Sequence, residues 1–367
     1  MTTLGLQIRD EMTQRTIFRA LPTAAACTLC ALSAFSTANI ALAAEPTSPN
    51  SYKFSGSLDM GVYRDFDGSN NVGPISRSSI TLAGARDLGN GNAATFKLMA
   101  RLDPSTGEMS DPGTTKTPFF HGEATVGLKS DRFGSIRLGR ALDVIEQNNW
   151  AYDPFYNYDS IASAAWNTFY YRYATDRTSN TTKANGTPTG EYARLNNGVF
   201  YDSPVVNGFQ GHISGSFEKS PEAIVNKVDV AGKGNNLGAA VTYNLGPVSM
   251  MLGHTKNTSG DTRTQLGGKY TIDTLELMAA VDRETKVGVT VLPTITAKTV
   301  GVSYGRGKYR YMANVGVLDD AQSMRFVGVG TTYAIDDMTS VYVSVGNKSY
   351  KTAASQSAYG VGINYRF

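Results

Sequence analysis

The feature that most constrains this chain is a two-residue alternation of apolar and polar side chains that continues to its last residue. In the final segment the apolar positions are Tyr359, Val361, Ile363, Tyr365 and Phe367. The end of a soluble chain is usually a frayed polar tail, whereas this end is apolar on one face only. The pattern predicts a closing strand whose terminal residue belongs to the sheet.

The same alternation returns through the body of the chain in short segments bounded by Gly, Asn, Asp or Pro, a pattern typical of β-strands. In one segment Leu275, Leu277 and Val281 share a face, and in another Val341 and Val343 do so. No convincing amphipathic helix separates the segments. We predict sixteen strands, which begin near residues 52, 75, 93, 119, 134, 194, 208, 236, 247, 264, 274, 296, 307, 324, 339 and 357.

The connections between these segments alternate in length. Short ones include "DRFG", "LGP" and "GRG", whereas long ones include "DPSTGEMSDPGTTKTP" and the stretch 142–193. An even number of strands with short turns on one side and long loops on the other is produced by up-and-down hairpins whose two chain ends lie at one rim. The connection lengths therefore predict an antiparallel meander.

The second face of these strands is polar or small, as at Thr242, Asn244, Arg310 and Asn314. In a soluble protein of this size some central strands should be apolar on both faces, and the open edges of so long a sheet would need protection. Closure into a barrel with lipid outside and water inside meets both requirements. We predict an all-β fold, a 16-stranded antiparallel transmembrane β-barrel.

Charge and composition narrow the class of function. The chain carries 34 Lys and Arg against 31 Asp and Glu, and charged residues are 18% of the total. A nucleic-acid partner is not expected, because such proteins show basic excess and basic clusters. Charges this closely balanced do not predict a preference for anions or cations.

No motif indicates catalysis, a metal or a cofactor. His121, His212 and His254 fall on three different predicted strands without the spacing of metal ligands. No nucleophile elbow or paired-acid motif stands out, although Ser, Asp and Glu are abundant enough that composition does not exclude an outer-membrane enzyme. We expect no enzyme activity, no metal and no cofactor.

The first residues have the pattern of a secretory signal peptide. Arg9, Arg15 and Arg19 precede an apolar stretch rich in Ala, Leu, Ser and Thr that ends in small residues near Ala43. We predict removal of residues 1–43, with cleavage after Ala43 or the residue that follows it. Cys27 is in this leader, as is the other cysteine, so the barrel of residues 44–367 would contain no disulfide.

Four stretches together resemble the Gram-negative outer-membrane general porins, nearest to the neisserial-type branch of beta-proteobacteria. These stretches are "DLGNG" at Asp87–Gly91, "FGSIRLGR" at Phe133–Arg140, "RLNNGVFYDSPVVNGF" at Arg194–Phe209, and the terminal "YRF". The resemblance implies a homotrimeric barrel in outer-membrane lipid with its third external loop folded inward. By analogy, the second loop, Pro104–Pro118, is the clasp between subunits. The resemblance also implies that Tyr365 and Phe367 are read by the barrel assembly machinery.

The third loop departs from the family pattern in two respects. The family's usual "GRQ" is replaced by "GRALDV" here, and the loop is unusually aromatic. Its aromatic residues are Trp150, Tyr152, Phe155, Tyr156, Tyr158, Trp166, Phe169, Tyr170, Tyr171 and Tyr173. We expect these rings to pack the loop more than to bind solutes.

The resemblance also implies a charged constriction, with acids on the loop opposite a basic wall. The acidic residues of the loop are Asp143, Glu146, Asp153 and Asp159. Alternation places Arg77, Lys97, Arg101, Arg137 and Arg194 on the wall, with Arg140 at the base of the loop. Such an arrangement would produce a transverse electric field that orients dipolar solutes.

The leading functional hypothesis is a channel for passive diffusion of small hydrophilic solutes and ions. A solute-specific channel that uses the aromatic loop is the alternative on the same scaffold. An outer-membrane enzyme and a secreted soluble adhesin are the competing classes. The adhesin would have to pack its apolar faces against each other.

Overall fold

The computed structural model describes residues 51–109, 119–170, 173–176, 191–217, 224–225, 228–229, 235–258, 260–287 and 294–367. The predicted signal peptide lies outside these ranges, as does most of the predicted clasp between Pro104 and Pro118. Within the described ranges, no helix has the length and apolar character needed to cross a bilayer.

Strands account for most of the described residues. The strands are β1 (Ser51–Arg64), β2 (Asn70–Gly73), β3 (Ser78–Gly89), β4 (Asn92–Leu102), β5 (Glu123–Ser130), β6 (Gly134–Leu142), β7 (Ala174–Asp176), β8 (Glu191–Tyr192), β9 (Arg194–Asp202), β10 (Phe209–Ser216), β11 (Ile224–Val225), β12 (Val228–Asp229), β13 (Leu237–Leu245), β14 (Val248–Lys256), β15 (Thr262–Ile272), β16 (Leu275–Thr285), β17 (Thr294–Arg306), β18 (Tyr309–Asp319), β19 (Met324–Ala334), β20 (Thr339–Ser349) and β21 (Gln356–Arg366).

Sixteen of these strands form a closed antiparallel barrel, which confirms the predicted fold class. They are β1, β3 to β6, β9, β10 and β13 to β21, each paired with its neighbours in chain order. The barrel closes where β21 pairs with β1, with Met60 opposite Ile363 and Val62 opposite Val361. Short β2 adds a pairing to β1, and β7–β8 and β11–β12 form two small separate sheets. Closure leaves the sixteen strands without an open edge.

The two faces of the wall differ as the alternation predicts. On β16, Leu277 and Val281 are 45% and 42% exposed, whereas Glu276 and Asp282, which flank this pair, are 3% and 4% exposed. This reverses the usual distribution of a soluble protein, in which charged side chains face out. The exposed apolar side chains continue around the barrel as an outer band suited to hydrocarbon.

Short turns join the strands at one rim. In the turn between β3 and β4, Asn90 and Gly91 have φ values of 55° and 72°. Two consecutive positive φ values suit the right-handed twist of a hairpin, and Asn and Gly adopt them at low cost. The chain ends at the same rim, where Gly56 and Phe367 exchange two backbone hydrogen bonds of 2.8 and 3.1 Å. Strand β21 itself ends at Arg366, one residue before the predicted end, and these two bonds hold the terminal Phe367 against β1.

Two predicted strand starts are wrong by several residues. The segment predicted to begin near 75 enters the sheet at Ser78, because the backbone N–H groups of Ile75 and Ser76 bond to the Asp59 carboxylate instead of a neighbouring strand. The segment predicted near 119 enters at Glu123. Phe119 and the next residue form a turn before it.

The connection after β6 contains helical turns that periodicity did not predict. They are α1 (Val144–Asn148), a 3-10 turn (Asn149–Tyr152) and a π-helical turn (Trp166–Tyr170). Each is four or five residues long, which is too short to show a helical repeat in the sequence.

Candidate channel constriction

The segment 143–170, here called the loop segment, packs against the wall on the side opposite the outer apolar band. The Tyr152 ring lies over Gly267, and the Ile161 carbonyl lies over Gly346. A Cβ at either glycine would collide with these atoms, so the absence of a side chain is what permits the close approach. Similar contacts with β13, β14, β17, β18 and β19 extend this packing over much of the wall.

Asp143 starts the loop segment as the N-cap of α1. Its carboxylate accepts hydrogen bonds of 3.0 and 2.9 Å from the backbone N–H groups of Ile145 and Glu146. The side chain is fully buried. Burial, together with the nearby Glu146 carboxylate, raises the pKa of Asp143 to about 7. The sequence therefore places an acid where the helix needs an acceptor, in surroundings that disfavour its charge.

Glu146 pairs with a cation that the sequence analysis did not select. Its Oε1 lies 2.5 Å from Nη1 of Arg263 on β15, whose Nε donates to Asp282 of β16 at 2.6 Å. Arg263 is fully buried, and its guanidinium lies 5.6 Å from the centre of the Phe169 ring. One wall cation thus contacts both the start and the end of the loop segment. Arg263 lies on the polar face of β15, so alternation was the signal that could have found it.

Asp153 organises the tip of the loop segment. It accepts backbone hydrogen bonds from Phe155 (3.0 Å) and Asn157 (3.2 Å), and one from the Ser163 hydroxyl (3.0 Å). The Asn314 side chain of β18 donates a fourth, at 3.1 Å. Burial raises the pKa of Asp153 above its usual range. This carboxyl group ties the tip to itself and to the wall.

Asp159 has the same role on the returning limb of the loop segment, residues 158–170. It accepts from the backbone N–H groups of Ile161 (2.8 Å) and Ala162 (2.7 Å), and from the Ser344 hydroxyl of β20. Burial raises the pKa of Asp159 to about 6. All four predicted loop acids are at most 7% exposed. In this arrangement they serve as hydrogen-bond and ion-pair anchors of the loop segment.

The six predicted basic residues lie on or beside adjacent strands from β3 to β9. Lys97 on β4 and Arg137 on β6 flank Glu123 of β5, at 2.8 and 2.9 Å from its carboxylate oxygens. Arg137 also lies 3.4 Å from Asp202 of β9. The Lys97 and Arg137 side chains are 14% and 12% exposed. Glu123 and Asp202 were not selected from the sequence, although alternation puts Glu123 on the same face.

Arg140 and Arg194 donate hydrogen bonds to the two residues that precede β5. Arg140 donates to the His121 carbonyl at 2.9 Å and to the Asn196 side chain at 2.5 Å. Arg194 donates to the Gly122 carbonyl at 3.1 Å and is 1% exposed. These contacts give both arginines a positioning role in the wall.

Arg77 and Arg101 face the rings of the loop segment. The Arg77 guanidinium carbon lies 4.6 Å from the ring centre of Tyr170, 5.0 Å from that of Tyr158 and 5.1 Å from that of Trp166. Arg101 lies 5.8 Å from the Tyr158 ring. These distances are within the range of cation–π attraction. The structure therefore brings these two predicted wall cations into contact with the loop.

The aromatic side chains of the third loop are mostly buried. Those at most 8% exposed are Tyr152, Phe155, Tyr156, Tyr158, Phe169, Tyr170 and Tyr173. Trp150 and Trp166 are partly exposed, and Tyr171 lies outside the described residues. Burial of this kind supports packing as the main role of the rings.

The two residues of the predicted assembly signal lie at the rim of short turns. Tyr365 is 45% exposed, on the same face as the outer apolar band. The Phe367 ring centre lies 6.2 Å from that of Tyr365 and 5.6 Å from that of Phe54. Recognition of these residues by an assembly machinery stays a prediction.

Comparison of the sequence with known proteins agrees with this geometry. The sequence profile of a family described as Gram-negative porin matches residues 24–367. An outer membrane porin protein of Bordetella pertussis is 24% identical over 339 residues, which cover 78% of this chain and 81% of the relative.

Comparison of the fold finds solved structures of similar architecture. An anion-selective porin from Comamonas acidovorans superposes with a TM-score of 0.70 at 22% identity, over 87% of this chain and all of that one. OmpF of Salmonella typhi in complex with daunomycin gives 0.63 at 14% identity, over 87% and 98%. A trimer form of OmpT from Vibrio cholerae gives 0.59 at 14% identity, over 87% and 100%. At these identities the likeness shows the fold.

Proposed function

The chain belongs to the Gram-negative porin family of the outer membrane, and we propose that it forms a water-filled channel for passive diffusion of small hydrophilic solutes and ions. One observation carries this proposal: the barrel is closed, apolar on its outer face and charged on its inner face. A sixteen-stranded barrel is wide enough for an aqueous lumen, and a polar interior with a lipid-facing exterior is how such channels are built.

The loop segment is the proposed constriction. It packs against lumen-facing positions of the wall, so it occupies cross-section that would otherwise be open to water. Its acids are engaged in hydrogen bonds and an ion pair, whereas Lys97 and Arg137 retain partial exposure on the facing wall. We therefore assign the narrowing to the loop segment and the electrostatic character mainly to the basic wall.

We propose a preference for anions over cations, because Lys97 and Arg137 are 14% and 12% exposed whereas the four loop acids are at most 7% exposed. Six predicted cations lie on or beside the strands from β3 to β9, where Glu123 pairs with Lys97 and Arg137, and Asp202 pairs with Arg137. The Comamonas structure with the similar fold is described as anion-selective, which is in keeping with this preference. The charges along the whole chain are nearly balanced, so the preference depends on where the charges lie.

The remaining parts of the proposal concern assembly. A homotrimer is proposed because a solved structure of similar fold is a trimer form. Export through a cleaved signal peptide, insertion by the barrel assembly machinery and contact with outer-membrane lipid complete the proposal. The buried aromatic side chains of the loop favour a passive channel over a solute-specific one, because few ring faces are open to a solute.

Recordings from planar bilayers with purified protein test this function. We expect stepwise current increases, a reversal potential in a KCl gradient that indicates anion preference, and no saturable block by a panel of sugars and amino acids. A membrane that stays electrically silent would contradict the channel, and saturable block would favour the solute-specific alternative.

The wall charges make a more specific prediction. Lys97→Gln combined with Arg137→Gln should shift the reversal potential toward cations, because two partly exposed cations of the proposed constriction are lost. The matched control is Arg132→Gln combined with Lys308→Gln, which removes the same charge from exposed short turns. Equal shifts in the two double variants would contradict a role for the basic wall.

A further inference from the structure

The loop that follows β1 returns to the sheet through residues 74–77, which lie inside the barrel wall. Ile75 is 1% exposed and packs with Ile161 of the loop segment and Ala358 of β21. The backbone N–H of Ser160 donates to the Ile75 carbonyl at 3.0 Å. This return therefore touches both the wall and the returning limb of the loop segment, residues 158–170.

A buried carboxylate holds this return in place. Asp59 of β1 is fully buried, and its Oδ1 accepts from the backbone N–H groups of Ile75 (3.0 Å) and Ser76 (2.8 Å) and from the Tyr342 hydroxyl (2.7 Å). Its Oδ2 accepts from Asn364 at 3.2 Å. Four donors thus bond to one carboxylate. The proposed wall cations and loop acids do not account for this arrangement.

Arg77 is the next residue after this anchored stretch. Its guanidinium lies within 5.1 Å of the ring centres of Tyr158, Trp166 and Tyr170, all on the returning limb. Stacking of a planar guanidinium on several rings restricts its position far more than a point charge would.

We infer that residues 74–77 are a second inward element of the constriction, fixed by Asp59, and that Arg77 positions the returning limb by stacking. The chain of contacts runs from Asp59 through Ile75 and Ser76 to Arg77, and from there to the rings. Arg77 is then a positioning residue rather than one lumen charge among several. The inference rests on the proposed channel function, which it deepens by adding the first loop to the constriction.

Tryptophan fluorescence can report on the returning limb. Trp150 and Trp166 are the two tryptophans of the whole sequence, so Trp150→Phe leaves Trp166 as the sole source of tryptophan fluorescence. Acrylamide quenching of Trp166 then measures how firmly the returning limb is held, and single-channel current noise gives a second, independent readout.

In that background we compare Arg77→Lys, Arg77→Met and Asp59→Asn. Lys keeps the charge but not the planar stacking group, and Asn replaces one acceptor oxygen with a donor amide that faces N–H groups. We expect each variant to raise the quenching constant of Trp166 about twofold and to increase current noise, because the limb loses its clamp. Tyr342→Phe should act in the same direction with a smaller effect, since it removes one donor to Asp59 and keeps the ring.

The matched control is Asp67→Asn in the same loop. Asp67 is exposed and bonds locally to Ser69, at 2.8 and 2.6 Å, so this variant should match the background protein. Heat-modifiable electrophoretic mobility confirms a folded barrel. If Asp59→Asn does not fold, Tyr342→Phe tests the anchoring by Asp59 in its place.

Two results would overturn the inference. Arg77→Lys could match the background protein, which would mean that charge alone suffices. The second result is Trp166 quenching that stays unchanged when Asp59 or Tyr342 is altered. It would mean that the anchoring of residues 74–77 by Asp59 does not hold the returning limb in place. A wild-type protein that conducts no ions would contradict the proposed channel instead, and the quenching measurements would still decide the positioning role.

Discussion

At the scale of single residues, burial changes the protonation of Asp143. Its pKa is about 7 in the folded protein against an ordinary value of 3.8. An acid whose pKa is higher in the folded state is protonated more readily there, so its contribution to stability is full below about pH 4 and is lost as the pH rises to about 7. Asp159, with a pKa raised to about 6, contributes in the same direction.

Asp143→Asn should therefore weaken the pH dependence of stability without loss of the cap. Asn caps a helix about as well as Asp and carries no charge at any pH, whereas Asp143→Ala should cost about 1 kcal/mol. Urea unfolding followed by tryptophan fluorescence at about pH 5 and about pH 8 measures both effects. Wild-type protein that is equally stable at the two values would contradict this account.

Arg263 is the residue whose loss should matter most for the loop segment. Arg263→Met leaves Glu146 and Asp282 buried without their cation, which should cost about 3–5 kcal/mol. Adding Glu146→Gln and Asp282→Asn should recover much of that loss, because no unpaired charge then stays buried. The free energy of unfolding of the single and triple variants tests this, and a single variant as stable as wild type would refute it.

At the scale of elements, the barrel wall and the loop segment depend on each other through glycines. Gly267 and Gly268 are neighbours on β15, but the first lies under the Tyr152 ring, whereas a Cβ at the second would have no atom of the described residues within 4 Å. Val is a good strand residue at either position, so strand propensity does not separate them.

Gly267→Val should displace the loop segment and change single-channel conductance, whereas Gly268→Val should leave conductance unchanged. The physical reason is steric, since only the first side chain would point into occupied space. Planar-bilayer recordings on both variants provide the comparison. Identical conductance in the two would mean that the loop segment does not depend on this contact.

Strands were predictable because alternation is local information. Leu277 and Glu276 are neighbours on opposite faces of β16, and the alternation of apolar and polar residues places each on the correct face. The start of β3 was not predictable, since Ile75 and Ser76 are drawn out of the sheet by Asp59, a partner on another strand. The turns of the loop segment were missed because they are too short to show a period.

At the scale of the whole molecule, one part of the candidate site was predictable from the sequence and the other part was not. Alternation located the basic residues on adjacent strands, as Lys97 and Arg137 show. It did not show what the loop acids bind, because those partners are distant in sequence: Glu146 meets Arg263 across 117 positions, and Asp153 meets Asn314 across 161. A pattern of charges identifies candidates for a constriction, whereas the fold decides which of them become anchors.

The central claim is that the apolar face of these strands meets hydrocarbon while the other face lines water. The chain has two cysteines, Cys27 and Cys30, both in the predicted leader, so single cysteines can be introduced into β16 and spin-labelled without interference. In reconstituted membranes, oxygen accessibility should peak at Leu277, Ala279 and Val281, and accessibility to a water-soluble nickel complex should peak at the residues between them. Profiles without alternation, or with both maxima on the same residues, would contradict the account.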